Sequence, residues 1–305
     1  MKELLEKCVT EGKKVTSFGE VAHYIPELKN SNKDAVGIYL IDKDRNHYYA
    51  GDHNYKFTIQ SVSKAINFLL CLENNELDMV LKKLSISPTS EMFNSIVQLE
   101  TKNENKPLNP LINAGAILTI SLIGGDDYNE KFNYILDYFK KVTGNGNLSV
   151  DEGVYKSEKE TGNRNRSIAY YMKSTGILDG DVEEILDIYF KICSFSVTVK
   201  DIAMIGYVLA SGGYSSDTDE RLASEESTRI VRSVMATCGL YDESGDFAVF
   251  VGTPSKSGVG GGILSAVPNR MGIGTVGPSL NQKGNSIAGM KMMEILSKEL
   301  NLSIY

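Results

Sequence analysis

61-SVSKAINFLLCLENN-75 fixes the architecture more firmly than any other segment of the chain. After its first turn it is apolar nearly all round. A helix of that kind has no face for water and is buried on every side. Its start carries two polar groups, Ser61 and Lys64, three residues apart and therefore on one side of the turn. A lysine placed there has little solvent to reach.

Upstream of Ser61 the period is two. Val36, Ile38 and Leu40 alternate with Gly37, Tyr39 and Ile41. The run 42-DKDRN-46 reads as a turn and His47–Ala50 as the return strand, with a short third piece at Phe57–Ile59. The first thirty residues read as a helix carrying Leu4, Leu5 and Cys8 and a second short piece through Val21, stopped by Pro26. Downstream, the pattern is helical to about residue 240. Asn133–Lys141 ends at Gly144, and 198-TVKD-201 is a capping-box-like start to the helix Asp201–Ala210. The last sixty residues return to strands at Phe247–Gly252, Gly258–Val267 and Met271–Val276. They end in a helix over 286–300 whose face Ile287, Met290, Met293, Leu296 and Leu300 is expected to lie on a sheet.

Strands at both chain ends pair into one antiparallel sheet, and the helical middle becomes an inserted lobe. The expected fold class is α+β. Residues 1–60 and 241–305 form a discontinuous sheet lobe, residues 61–240 a mainly helical lobe, and the active site lies in the cleft between them.

Composition narrows the function. With 305 residues, 42% apolar and 23% charged, the chain has globular composition, which excludes disorder and coiled coil as its main architecture. A net charge of −7 without a long basic run excludes a nucleic-acid binder. The four cysteines are scattered and the three histidines form no ligand cluster, so neither a disulfide framework nor a metal site is expected. The N-terminus has no signal-peptide pattern and no stretch approaches the roughly 20 apolar residues of a membrane span. The expectation is a cytoplasmic protein with no membrane partner.

Two segments carry chemistry. A serine hydroxyl needs a base before it attacks. A lysine in a dry site loses its charge readily and can be that base, and the helix start supplies N–H groups for an oxyanion. The plain alternative is that Ser61 caps the helix and Lys64 is a surface residue. The second segment is 256-KSGVGGG-262, where a lysine, a hydroxyl and glycines on one strand edge can hold a substrate carboxylate. Its alternative is a Gly-rich hairpin without chemistry.

SxxK opening a buried helix, followed by K-[ST]-G on a late strand, matches the order in penicillin-recognising serine enzymes. Their S-D-N is absent here, although Ser194-Phe195-Ser196 lies in the interval. The whole chain more closely resembles the serine-dependent glutaminases, which share a β-lactamase-like fold. The matching blocks run end to end: 24-YIP-26, 57-FTIQSVSK-64, 109-NPLINAGA-116, Ser157-Glu158, Arg164-Asn165, 189-YFKICS-194, 238-CGLY-241 and 256-KSGVGGG-262.

The resemblance implies hydrolysis of the side-chain amide of L-glutamine through a seryl acyl-enzyme, without metal or organic cofactor. Ser61 then matches the nucleophile and Lys64 its base, with Tyr189 and Tyr241 as proton-relay residues. Tyr24, Ser61, Asn113, Glu158, Asn165, Tyr189, Tyr241 and Val259 match glutamine-contacting positions, and Lys256 is electrostatic support. Glu158 suits the α-ammonium, although in 156-KSEKETGNRNR-166 its setting reads as a solvated charge. The backbone N–H groups of Ser61 and Val259 are the expected oxyanion hole. The resemblance also favours a homodimer or homotetramer. The alternatives are a same-fold serine hydrolase acting on a β-lactam or ester, and a non-catalytic glutamine-binding protein.

Overall fold

The computed structural model describes residues 1–89, 92–101 and 105–305; residues 90, 91 and 102–104 of the expected helical lobe lie outside the described residues. Strands β1 (Gly37–Asp42), β2 (His47–Gly51), β5 (Ser255–Ser257), β6 (Gly262–Val267) and β7 (Met271–Val276) form an antiparallel sheet ordered β2-β1-β7-β6-β5. Two short strands, β3 (Phe57–Thr58) and β4 (Ser196–Val197), pair separately. The two chain ends meet where β1 pairs with β7, from Gly37 opposite Val276 to Asp42 opposite Met271. The β1–β2 turn forms because the Asp42 carboxylate accepts the backbone N–H groups of Asp44 and Asn46, both at 2.9 Å.

Both sheet faces are covered. Ile38 and Leu40 join one apolar cluster with Leu5, Met292 and Leu296 from the helices Lys2–Lys13 and Ile287–Leu300. Tyr39 and Ile41, on the alternate face, join the larger cluster that contains the helical residues. The helix Val199–Ala210 lies on that face and touches β7 backbone to backbone. A Cβ at Gly272 would stand 2.0 Å from the Tyr207 nitrogen, and one at Gly206 would stand 2.6 Å from the Ser265 oxygen. Glycine is what allows this approach. The helix begins in the expected capping box of Thr198 and Asp201.

The greasy segment forms a helix over Ser63–Asn74, buried continuously from Ser63 to Leu72. Its start differs from the expectation: Ser61 sits in a 3-10 turn, Gln60–Val62, and no side chain caps the helix. Ser61 is therefore not an N-cap.

Five further expectations are corrected. Residues 247–252 are not a strand; Ser244–Phe250 is a helix. Phe247 and Val251 are buried four apart while Val249 and Phe250 are 78% and 71% exposed, so a short apolar run followed helical rather than strand geometry. Pro26 does not stop a helix but opens one, the 3-10 turn Pro26–Asn30, because its missing N–H is unneeded at a first helical position. The piece before it is only Thr16–Phe18. The Gly-rich segment is strand only from Gly262, with 258–261 a loop. In the last helix Ala288, Met292, Met293 and Leu296 are buried, so its inner face is rotated from the expected one.

Candidate functional site

The site begins with a loop seated on a turn. The glycines of 256-KSGVGGG-262 lie against the segment Thr58–Ser61. A Cβ on Gly260 would stand 2.2 Å from the Thr58 oxygen, and one on Gly258 would stand 3.0 Å from the Ile59 oxygen and 3.3 Å from the Ser61 nitrogen. The loop around Val259 therefore lies close against the Ser61 turn, and at Gly260 closer than any side chain would allow. Gln60, just before Ser61, has φ +48°. A non-glycine residue in that region costs on the order of 1–3 kcal/mol, the kind of strain that clusters at active sites.

Lys64 is fully buried, and its Nζ donates to Asn113 Oδ1 at 2.6 Å. Asn113 Nδ2 in turn donates to Asn165 Oδ1 at 2.8 Å. Asn113 stands at the start of the helix Asn113–Leu122. The Asn109 side chain sets that start by accepting the N–H groups of Leu111 and Ile112 at 3.0 and 3.2 Å. A Cβ on Gly115 would stand 2.0 Å from the Asn109 oxygen, so the block 109-NPLINAGA-116 packs as it does only with glycine there. Burial pulls the Lys64 amine down to about 8, against the opposing pull of Cys193 and Glu158.

Glu158 lies on the helix Glu152–Thr161 and is buried, 7% exposed. The solvated-charge reading of its neighbourhood is therefore wrong for this residue. Burial pushes its carboxyl up to about 7, with Gln60 and Lys64 holding it back. Tyr189, from the helix Val182–Cys193, is buried beside it and its hydroxyl is pushed well above the usual tyrosine range by burial. Tyr24 is about half exposed as a residue, and its hydroxyl is raised well above the usual tyrosine range by burial and by Glu158.

Tyr241 carries φ +56°, and its buried hydroxyl stands near the Ser61 and Ser257 hydroxyls without closing a well-aligned hydrogen bond to either. Burial raises its pKa to about 12, with the Ser61 and Ser257 hydroxyls pulling it back. The Lys256 ammonium stands 4.5 Å from the Tyr241 ring centroid and donates to the carbonyls of Gly239 (2.9 Å) and Ser257 (2.6 Å). Lys256 is fully buried and pushed well below the usual lysine range, first by burial and then by Lys64. Phe93 bridges the two lysines, its ring 5.0 Å from that of Tyr241 and 5.8 Å from Lys64 Nζ.

Two connected spaces result. An inner cavity of about 80 Å³ is lined by Tyr24, Ser61, Asn113, Glu158, Asn165 and Tyr189 of the expected set. An outer basin of about 1000 Å³ is lined by Tyr24, Tyr241 and Val259, and shares Phe93 and Asn94 with the inner cavity. Ligand pockets run to roughly 300–1,000 Å³, so the basin alone has the volume of a ligand pocket and the inner cavity adjoins it through the shared residues Tyr24, Phe93 and Asn94. Lys64 and Lys256 line neither space and are fully buried behind the wall. Residue-level reasoning missed Gln60, Phe93 and Cys193 as wall residues. Gln60 and Cys193 sat inside the quoted blocks; Phe93 had no sequence signal.

Comparison with known proteins identifies the family. The profile of the Glutaminase family matches residues 19–305. The Glutaminase of Clostridium tetani (strain Massachusetts / E88) is 56% identical over 305 residues, covering all of both chains. The solved structure named "Probable glutaminase ybaS" has a TM-score of 0.94 at 36% identity, covering 99% of this chain and 98% of that one. The covalent complex between the Bacillus subtilis glutaminase YbgJ and 5-oxo-L-norleucine has a TM-score of 0.90 at 35% identity, covering 99% and 98%. With a full-length relative at this identity and a profile match over most of its length, the chain belongs to the glutaminase family.

Proposed function

We propose that Ser61 is the nucleophile, and Lys64 the base, with which this chain hydrolyses the side-chain amide of L-glutamine to L-glutamate and ammonia. The carrying observation is a fully buried amine, lowered to about 8 and held by Asn113, one helical turn from Ser61. An amine whose charge is disfavoured by burial is suited to take the proton of a neighbouring hydroxyl.

Lys64 takes the Ser61 proton as Oγ bonds to the amide carbon. Charge develops on the amide oxygen, toward the N–H groups of Ser61 and Val259. The C–N bond breaks as the departing nitrogen takes the proton from Lys64, directly or through Tyr241, and leaves as ammonia. Water then adds to the ester, its proton passing by the same route back to Ser61 Oγ as glutamate departs. Glu158 reads the α-ammonium, while Asn165, Tyr24 and Tyr189 hold the rest of the amino-acid head. Lys256 faces the ring of Tyr241 and supports the site electrostatically.

In this reading residues 1–60 with 241–305 make one lobe, residues 61–240 the other, and the reaction occupies the cleft between them. A reducing, cytoplasmic setting accords with four unpaired cysteines. A homodimer or homotetramer accords with exposed Val249, Phe250 and Tyr305; light scattering measures it. Among the described residues no helix is long and apolar enough to cross a membrane.

The test is ammonia release from glutamine beside asparagine, and hydrolysis of a chromogenic β-lactam, with wild type and Ser61→Ala. Turnover of glutamine alone, abolished in the variant, is the expected result. Treatment with 6-diazo-5-oxo-L-norleucine followed by peptide mapping should place the adduct on Ser61. An adduct elsewhere, or β-lactam turnover matching that of glutamine, overturns the assignment.

A further inference from the structure

The conformation of Tyr241 is imposed by its surroundings, and the source of that imposition lies outside the residues assigned above. Tyr241 begins a three-residue turn, Tyr241–Glu243, in a left-handed backbone conformation. The peptide on each side is pinned. Asn285 Nδ2 donates to the Leu240 carbonyl at 3.3 Å, and Ser244 Oγ donates to the Tyr241 carbonyl at 2.9 Å. Asn285 is fully buried.

The Glu243 carboxylate holds Asn285 in place. Its Oε2 accepts from Asn285 Nδ2 at 2.5 Å, and its two oxygens accept from Asn281 Nδ2 at 3.0 and 2.8 Å. A carboxylate only accepts, so both asparagine amides must turn their NH₂ groups toward it. For Asn285 that orientation is also the one that serves Leu240. The loop supplying both asparagines is itself closed, since Asn281 Oδ1 accepts the N–H groups of Lys283 and Asn285 at 3.0 and 3.1 Å. This loop forms a wall of the outer basin beside Tyr241.

We propose that Glu243, clamped between Asn281 and Asn285, is a positioning residue that holds the Tyr241 hydroxyl toward Ser61 and thereby sets the rate of the chemical step. Glu243 lines neither space and does not touch the substrate site. The inference rests on the reading of Tyr241 as a working group at Ser61.

Glu243→Gln preserves shape but must turn an NH₂ toward one of the two asparagine NH₂ groups. The expected result is a fall in kcat of tenfold or more for glutamine, with KM within about threefold of wild type and an unchanged circular-dichroism spectrum. A Glu243→Gln enzyme that keeps more than half of wild-type kcat overturns the inference, as does a loss expressed only in KM. Tyr241→Phe separates the two readings. If it retains full kcat, the role of Tyr241 itself fails; if it is impaired while Glu243→Gln is not, only the clamp fails.

Discussion

Lys64 and Asn113 are joined by a 2.6 Å hydrogen bond between side chains buried from solvent. The amide oxygen offers the amine an acceptor without a full negative charge. A carboxylate in its place would hold the proton on Lys64, whereas a neutral acceptor leaves burial to dominate and the amine close to neutrality in the physiological range. The same bond turns the Asn113 NH₂ toward Asn165.

Ser61→Ala should lower kcat by several orders of magnitude with the fold intact. The residue lies in a 3-10 turn and caps no helix, so little stability is lost with the hydroxyl. Steady-state ammonia release checks this. A variant keeping more than about a tenth of wild-type kcat/KM has lost under roughly 1.4 kcal/mol and does not support a covalent mechanism.

The base must be unprotonated to act, and the Glu158 carboxyl must be ionised to hold an ammonium. With Glu158 at about 7 and Lys64 at about 8, kcat/KM should rise with pH and level off above about 8. Below about 7 the fall should steepen, because both groups are then in the wrong form. Lys64→Arg should be inactive at every pH, since a guanidinium does not lose its proton. A flat profile between pH 6 and 9 speaks against Lys64 as base.

Glu158→Gln should raise KM for glutamine by at least about tenfold and reduce the preference over an N-acetylated glutamine. Glu160→Gln, at an exposed position two residues on, is the silent control. The Glu158 variant should also gain stability as pH rises. The folded pKa of Glu158 lies above its unfolded value of 4.5, so its favourable contribution is complete below 4.5 and is lost as pH passes through about 7. Thermal melts at pH 8 should therefore favour Glu158→Gln by on the order of 1–3 kcal/mol, and at pH 4 the difference should vanish.

Gly260→Ala should detach the Val259 loop from the Ser61 turn, because its Cβ would meet the Thr58 carbonyl. Loss of one oxyanion donor lowers kcat by roughly 10²–10³, and that is the expected range, with kcat affected more than KM. Gly146→Ala, where nothing lies within 4 Å, should be silent.

Gly272→Ala should destabilise without touching the site. Its Cβ would enter the backbone of the helix Val199–Ala210 at Tyr207, where no flexible side chain can yield. Overpacking of this kind costs about 1–3 kcal/mol or more, measurable as a lowered urea midpoint with an unchanged KM in the folded protein.

Elements whose pattern is local were legible in the amino-acid sequence. The buried helix after Ser61, the β1–β2 hairpin, the Thr198 capping box and the αL stop at Gly144 each follow from spacing within about fifteen residues. Ordered motif blocks likewise carried the membership of the family. Packing settled what depends on neighbours distant in the chain. The segment 247–250 became helical because Phe247 and Val251 had a cluster to enter, and no period in so short a run distinguishes the two outcomes. Glu158 reads as solvated in its charged stretch, yet it is buried, in the wall of a cavity it shares with Tyr24, Gln60 and Tyr189 from three other segments. Its pKa, like that of Lys64, arises from desolvation, which is a property of the packed molecule and not of neighbouring letters. Phe93 and Glu243 reach Tyr241 and its turn only through contacts that local spacing does not encode.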